Sequence, residues 1–262
     1  MRALNAFPRA RTTSGLALLV LGVLLSACET TPVTPDGPVS ARERAQLQTQ
    51  LGVGYLREGN RELAYQRLKQ ATEADPSYAQ AHNALALLQE QLGQDAEAEA
   101  GYRRAIALDP TFSAAHTNLG SFLCRRDRFA EADAEFRRAL ANPLYGSPEV
   151  AQTNAGLCLQ RKGDLDAAAD HLRRALSRNA RIAPALVAMS EISLEEGNSL
   201  SARGYLQRYL EVGQNTPRTL WLGIRIERTL GDKNAVSSYS MLLKSKYPDA
   251  PETKLLRNLE SQ

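Results

Sequence analysis

The chain has only three histidines, three cysteines and one tryptophan in 262 residues. So few histidines and cysteines leave little from which to build a His/Cys metal or nucleophile site, and no catalytic constellation is found. His171 has no cysteine or carboxylate spaced about it as a metal site requires. Glycine-rich phosphate loops are absent too. The expectation is a protein with no catalytic residues, no metal and no cofactor. Long apolar runs are also missing. Leu16–Leu25 reaches about ten residues, where a membrane-spanning helix needs about twenty. Net positive charge is lacking in the body of the chain. The formal net charge is +3, but residues 1–27 hold Arg2, Arg9 and Arg11 and no acid, so the remainder is neutral. A neutral body has no net attraction for nucleic acid or anionic lipid, and nothing implies a small-molecule substrate.

What the chain does have is a period. Glycine recurs at Gly59, Gly93, Gly163, Gly197 and Gly231, in steps of 34, 70, 34 and 34. Asp127 stands 34 residues past Gly93, and 36 remain to Gly163, so two extra residues fall in the middle. Five residues after each mark comes a small or β-branched residue: Ala64, Ala98, Ala132, Ala168, Ala202 and Val236. Pro76, Pro110 and Pro248 close three of the units, since proline cannot continue a helix. This pattern resembles tetratricopeptide repeats, two antiparallel helices per unit. The resemblance implies an all-α, right-handed superhelical solenoid of about six repeats, near 45–78, 79–112, 113–148, 149–182, 183–216 and 217–250. Such a chain presents a surface rather than a reactive pocket.

With each glycine numbered 15, Gly52, Gly120 and Gly156 fall at position 8, where two helices approach closely. His82 and His116 both fall at position 4, a packing slot of these repeats rather than a metal pair. First-helix positions 2, 5, 9, 12 and 13 line the groove of such superhelices. Here that stripe includes Asn83, Leu87, Glu90, Thr117, Ser121, Arg125, Thr153, Leu157, Val187, Gln160, Arg161, Glu191, Trp221, Arg225 and Arg228. It is mixed, as an extended peptide partner requires. Trp221 is either a groove anchor or end-cap core. Cys124 falls at position 12 of its repeat and Cys158 at position 10 of the next. They are expected to point in different directions and remain buried free thiols. The Asn142–Glu149 segment holds the two extra residues and two prolines. It is either a length adjustment or a binding loop tipped by Leu144 and Tyr145.

The N-terminus resembles a lipoprotein signal. Positive charge, the short apolar core and Leu25-Ser26-Ala27-Cys28 match a lipobox, which implies residues 1–27 as a cleaved signal and a covalent lipid on Cys28. Glu29, rather than aspartate, follows the cysteine, which implies the outer membrane, with the lipid-anchored protein facing the periplasm. Residues 28–44 then form the lipidated end and tether, and 45–262 the repeat domain. Thr30–Ser40 is rich in Thr, Pro and Gly.

Certain stretches are more specific: Leu119-Gly120-Ser121-Phe122-Leu123-Cys124, Asn142-Pro143-Leu144-Tyr145, Pro148-Glu149 and Asn154-Ala155-Gly156-Leu157-Cys158. With the lipobox and about six repeats, they resemble the type IV pilus biogenesis lipoproteins of the PilF/PilW family. That resemblance implies a pilotin. Such a protein binds the pilus secretin, helps it reach the outer membrane and form multimers, and so supports pili and twitching motility. The alternative is a general periplasm-facing repeat lipoprotein that scaffolds peptidoglycan or outer-membrane assembly factors.

Overall fold

Ser40 opens the helical part of the chain. Its hydroxyl accepts the Glu43 N–H, and the Glu43 carboxylate accepts the Ser40 N–H, a reciprocal cap that starts the first helix at Ala41. The structure, a computed structural model, describes residues 39–261. Cys28, the signal segment and most of the tether lie outside the described residues. Residues 41–44, assigned above to the tether, belong to the first helix.

The described residues form thirteen helices and no strand. They are α1 (Ala41–Arg57), α2 (Arg61–Ala74), α3 (Ala79–Gln91), α4 (Asp95–Leu108), α5 (Ser113–Arg125), α6 (Phe129–Ala141), α7 (Pro148–Lys162), α8 (Leu165–Arg178), α9 (Ala183–Glu195), α10 (Ser199–Leu210), α11 (Pro217–Leu230), α12 (Lys233–Lys246) and α13 (Pro251–Glu260). The first twelve form six pairs. Within a pair the helices pack on each other, and each pair stacks on the next, giving an all-α solenoid.

The 34-residue mark is a backbone requirement. Gly59, Gly93, Gly163, Gly197 and Gly231 all have positive φ, between 75° and 90°. Each ends the first helix of its pair in the left-handed region that glycine enters without strain. Asp127 takes the same turn at φ 59°, alone among the described non-glycine residues. Five residues on, Ala64, Ala98, Ala132, Ala168 and Ala202 are fully buried, because a larger side chain there would hold the second helix away from its neighbours. The core is a string of clusters along the stack rather than one centre.

The far end carries a helix that the repeat pattern does not contain. The last pair would leave Leu220, Ile224 and Leu243 open, and α13 covers them with the buried Leu256. Pro251 sits in its first turn, where the missing N–H costs nothing. Trp221 packs half-buried against this same cluster.

Cys124 and Cys158 are joined by a disulfide with Cα atoms 5.8 Å apart. This corrects the expectation of free thiols, and the reason is geometric. α5 and α7 are stacked neighbours running the same way, so each meets the other with opposite sides of its cylinder. Two residues at different register positions, about 200° apart around a helix, are the ones that face each other. Axes ~8–10 Å apart then bring facing Cα atoms much closer, because each lies ~2.3 Å off its axis.

Candidate functional site: the face of the first helices

The stripe of first-helix residues is held by ties that cross from one repeat to the next. Asn118 Nδ2 donates to Asn83 Oδ1 at 3.0 Å, and Asn154 Nδ2 donates to Ser121 Oγ at 3.0 Å. Arg125 Nε donates to Glu90 at 2.9 Å, and Arg161 Nε to Asp127 at 3.0 Å. Gln160 Nε2 donates to Glu191 at 3.0 Å, and Arg218 grips the same carboxylate with two nitrogens at 2.6 Å each. Partners in these ties stand 27 to 35 residues apart, so every one crosses a repeat boundary.

The acids lie beneath and the guanidinium groups above. Glu90 and Glu191 side chains are 11% and 14% exposed, against 53% and 65% for Arg125 and Arg218. Tyr102 also donates to Glu90, at 3.0 Å. Burial and then that carboxylate push the Tyr102 phenol above its ordinary range. The hydrogen bonds that Arg218 donates to Glu191 hold its guanidinium above the usual arginine range.

Three hollows open on this face. One, of about 170 Å³, is lined by Ser121, Cys124, Arg125, Asn154, Leu157, Cys158 and Arg161, so the disulfide forms part of its wall. Another, of about 370 Å³, is lined by Leu157, Pro184, Val187, Tyr209 and Arg218, among others. Leu157 is shared by these two. A third hollow lies over Leu87, Glu90, Arg125 and Arg126. Arg225 and Arg228 are exposed further along the stripe.

Two stripe residues do not present themselves. Thr117 and Thr153 are buried, and their hydroxyls donate to the preceding-turn carbonyls of Ser113 and Glu149, both at 2.8 Å. This corrects their assignment as contact residues: a threonine on a packed helix satisfies its hydroxyl locally. The Asn142–Glu149 segment splits its two candidates. Leu144 stands 89% exposed. Tyr145 folds back, half-buried, with its hydroxyl 3.3 Å from Thr117 Oγ1. Burial raises the phenol, and the hydrogen bond to Thr117 opposes it. Asn118, Asn154 and Arg218 belong to the face but are not among the groove candidates counted off from the register. Arg218 sits at position 2, where the register rule already points. Asn118 and Asn154 sit at position 6, outside it.

The histidines serve packing. His82 Nε2 and His116 Nε2 meet the carbonyls of Pro76 and Pro110, each six residues back and 3.0 Å away. His116 Nδ1 also meets Glu135 at 2.6 Å inside the α5–α6 pair. Among the described residues no group of three or more His, Cys, Asp or Glu side chains is placed to hold a metal ion. None of the described helices is long and apolar enough to cross a membrane.

Three stretches match the tetratricopeptide repeat family, residues 49–111, 102–134 and 150–181. The chain is 30% identical over 246 residues to the type IV pilus assembly protein PilF of Pseudomonas aeruginosa, covering 92% of this chain and 96% of that one. A solved structure from the functional characterisation of Pseudomonas aeruginosa PilF superposes with TM-score 0.77 at 30% identity, over 83% of this chain and 98% of the other. PilW, described as a widely conserved type IV pilus biogenesis factor, superposes with TM-score 0.74 at 28% identity, over 81% and 97% of the two chains.

Proposed function

This chain belongs to the PilF family of tetratricopeptide-repeat proteins of type IV pilus biogenesis, and from that premise we propose that it is the pilotin of a pilus secretin. In this reading Cys28 carries the lipid that anchors the protein to the outer membrane, facing the periplasm. The solenoid binds secretin subunits, brings them to that membrane and favours their multimerisation, which pili and twitching motility require. The observation that carries the reading is the extent of the likeness. It spans 92% of this chain, well beyond the stretches that match the repeat signature. A covalent lipid on Cys28 fits a Thr/Pro/Gly-rich sequence between that cysteine and the helical body that begins at Ala41.

The test is a gel of membranes from a strain deleted for the gene, probed for heat-resistant secretin multimers. Loss of multimers with persistence of monomer is expected. Multimers at normal level in the outer membrane refute the reading and favour a general envelope scaffold. A Cys28→Ala variant separates the lipid from the solenoid: secretin that still multimerises in the outer membrane removes the anchor from the account.

A further inference from the structure

The charges on the first-helix face are sorted by depth. Glu90 and Glu191, the acids of the stripe at α3 and α9, sit low and are each covered by an arginine from another repeat. What faces outward is guanidinium. Arg125 on α5, Arg161 on α7 and Arg218 on α11 are each at least half exposed. The Arg161–Asp127 contact is an exposed pair, with both side chains open to water. Such pairs are weak and exchange readily for a better partner. Between these arginines the floor is apolar, with Leu157 dividing two hollows and Val187 lining the second. The disulfide and the Asn154–Ser121 hydrogen bond hold the first hollow across the α5–α7 seam. The hollow is therefore a fixed feature of the stack.

We propose that this face recognises an acidic, extended segment of its partner. The carboxylates meet Arg125, Arg161 and Arg218 in turn, and apolar side chains between them enter the hollows on either side of Leu157. Arginine suits the task because its planar fork takes a carboxylate by two hydrogen bonds. Length follows from the register. Arg125 and Arg161 lie at position 13 and Arg218 at position 2, so the path crosses the stack diagonally. Three helix steps of ~8–10 Å and a displacement of ~16 Å along the helices give about 30 Å. An extended chain covers that in about nine or ten residues at ~3.3 Å each.

This rests on the reading that the solenoid binds a partner chain, and it adds the chemistry of what is bound. A photo-crosslinking amino acid replaces Leu157 in the full chain, expressed in piliated cells, and the captured peptide is identified by mass spectrometry. The expected capture is a segment with several Asp or Glu residues within about ten. Arg161→Glu and Arg218→Glu together should reduce capture roughly tenfold or more, since charged hydrogen bonds are lost and repulsion added. Arg137→Glu, on α6, should leave it unchanged, and circular dichroism checks that each variant is folded. A neutral or basic captured segment overturns the proposal. So does capture undiminished by the double reversal, or no capture from position 157. An acidic segment from a protein other than the secretin upholds this inference and refutes the pilotin reading. A neutral segment of the secretin does the reverse.

Discussion

Removing the Cys124–Cys158 disulfide should loosen the middle of the solenoid by a calculable amount. The two cysteines are 34 residues apart and enclose α6 and the Asn142–Ser147 turn. Releasing a loop of that length returns to the unfolded chain an entropy worth about 3.8 kcal/mol at 25 °C on the chain-entropy relation. For a domain of this size each kcal/mol moves the midpoint by roughly 2–4 °C, so the melt should fall by roughly 8–15 °C. Both cysteines are buried, so the double variant should carry alanine rather than serine, which would bury a hydroxyl. The assay is thermal melting by circular dichroism on three samples: oxidised, reduced, and Cys124→Ala/Cys158→Ala. The reduced protein and the double variant should both melt early, with the seam between the third and fourth pairs opening first, because stacked repeats are held mainly by their neighbours. A double variant melting within about 2 °C of the oxidised protein would refute the reasoning, since the cross-link would then constrain nothing that unfolding releases.

Gly156→Ala should destabilise the α7–α8 pair by about 1–3 kcal/mol in urea denaturation. A Cβ there would stand 2.6 Å from Leu172 Cγ and 3.1 Å from the Ala168 carbonyl oxygen, and the backbone oxygen cannot turn away. An unchanged midpoint would show that the helices separate freely. His171 should make the fold acid-sensitive. Burial, then Arg174, lower its pKa in the folded state, while Gln152 Oε1 lies 2.7 Å from its Nδ1. A lowered folded pKa means that the unfolded chain takes the proton first. Stability is therefore whole above the unfolded value of ~6.5 and declines as pH falls through it toward the folded pKa. His171→Gln should flatten the loss of stability between about pH 7 and 5, and an unaltered slope would exclude this histidine as its source.

Much of this architecture is legible in one dimension because repeats make local demands. Gly59, Gly93, Gly163, Gly197 and Gly231 announce a left-handed turn, and the alanines five residues later announce close packing. Both requirements belong to short segments and recur with them. Asp127 stands at the same place in the period and takes the same turn, at φ 59°. α13 was harder to see. It lies outside the 34-residue period, and its place in the fold is set by the need to cover Leu220, Ile224 and Leu243.

The stripe that lines the first-helix face could be counted off from the register, but not its depth. Thr117 and Thr153 share position 5 with the partly exposed Asn83, Val187 and Trp221 and are themselves buried, their hydroxyls turned to Ser113 and Glu149 of their own helices. Tyr145 was placed beside Leu144 at the tip of a loop, and it turned inward because Thr117 offered its hydroxyl a partner 28 residues away. The amino-acid sequence alone determined the helix pairs, their number and the turns between them, since those are set by backbone conformation and side-chain size within about 34 residues. Only the tertiary structure decided that Cys124 and Cys158 join, that Glu90 and Glu191 sit beneath their arginines, and which candidates meet solvent. Those outcomes depend on which side of one helix faces which side of the next, and that relation exists only once the repeats have stacked.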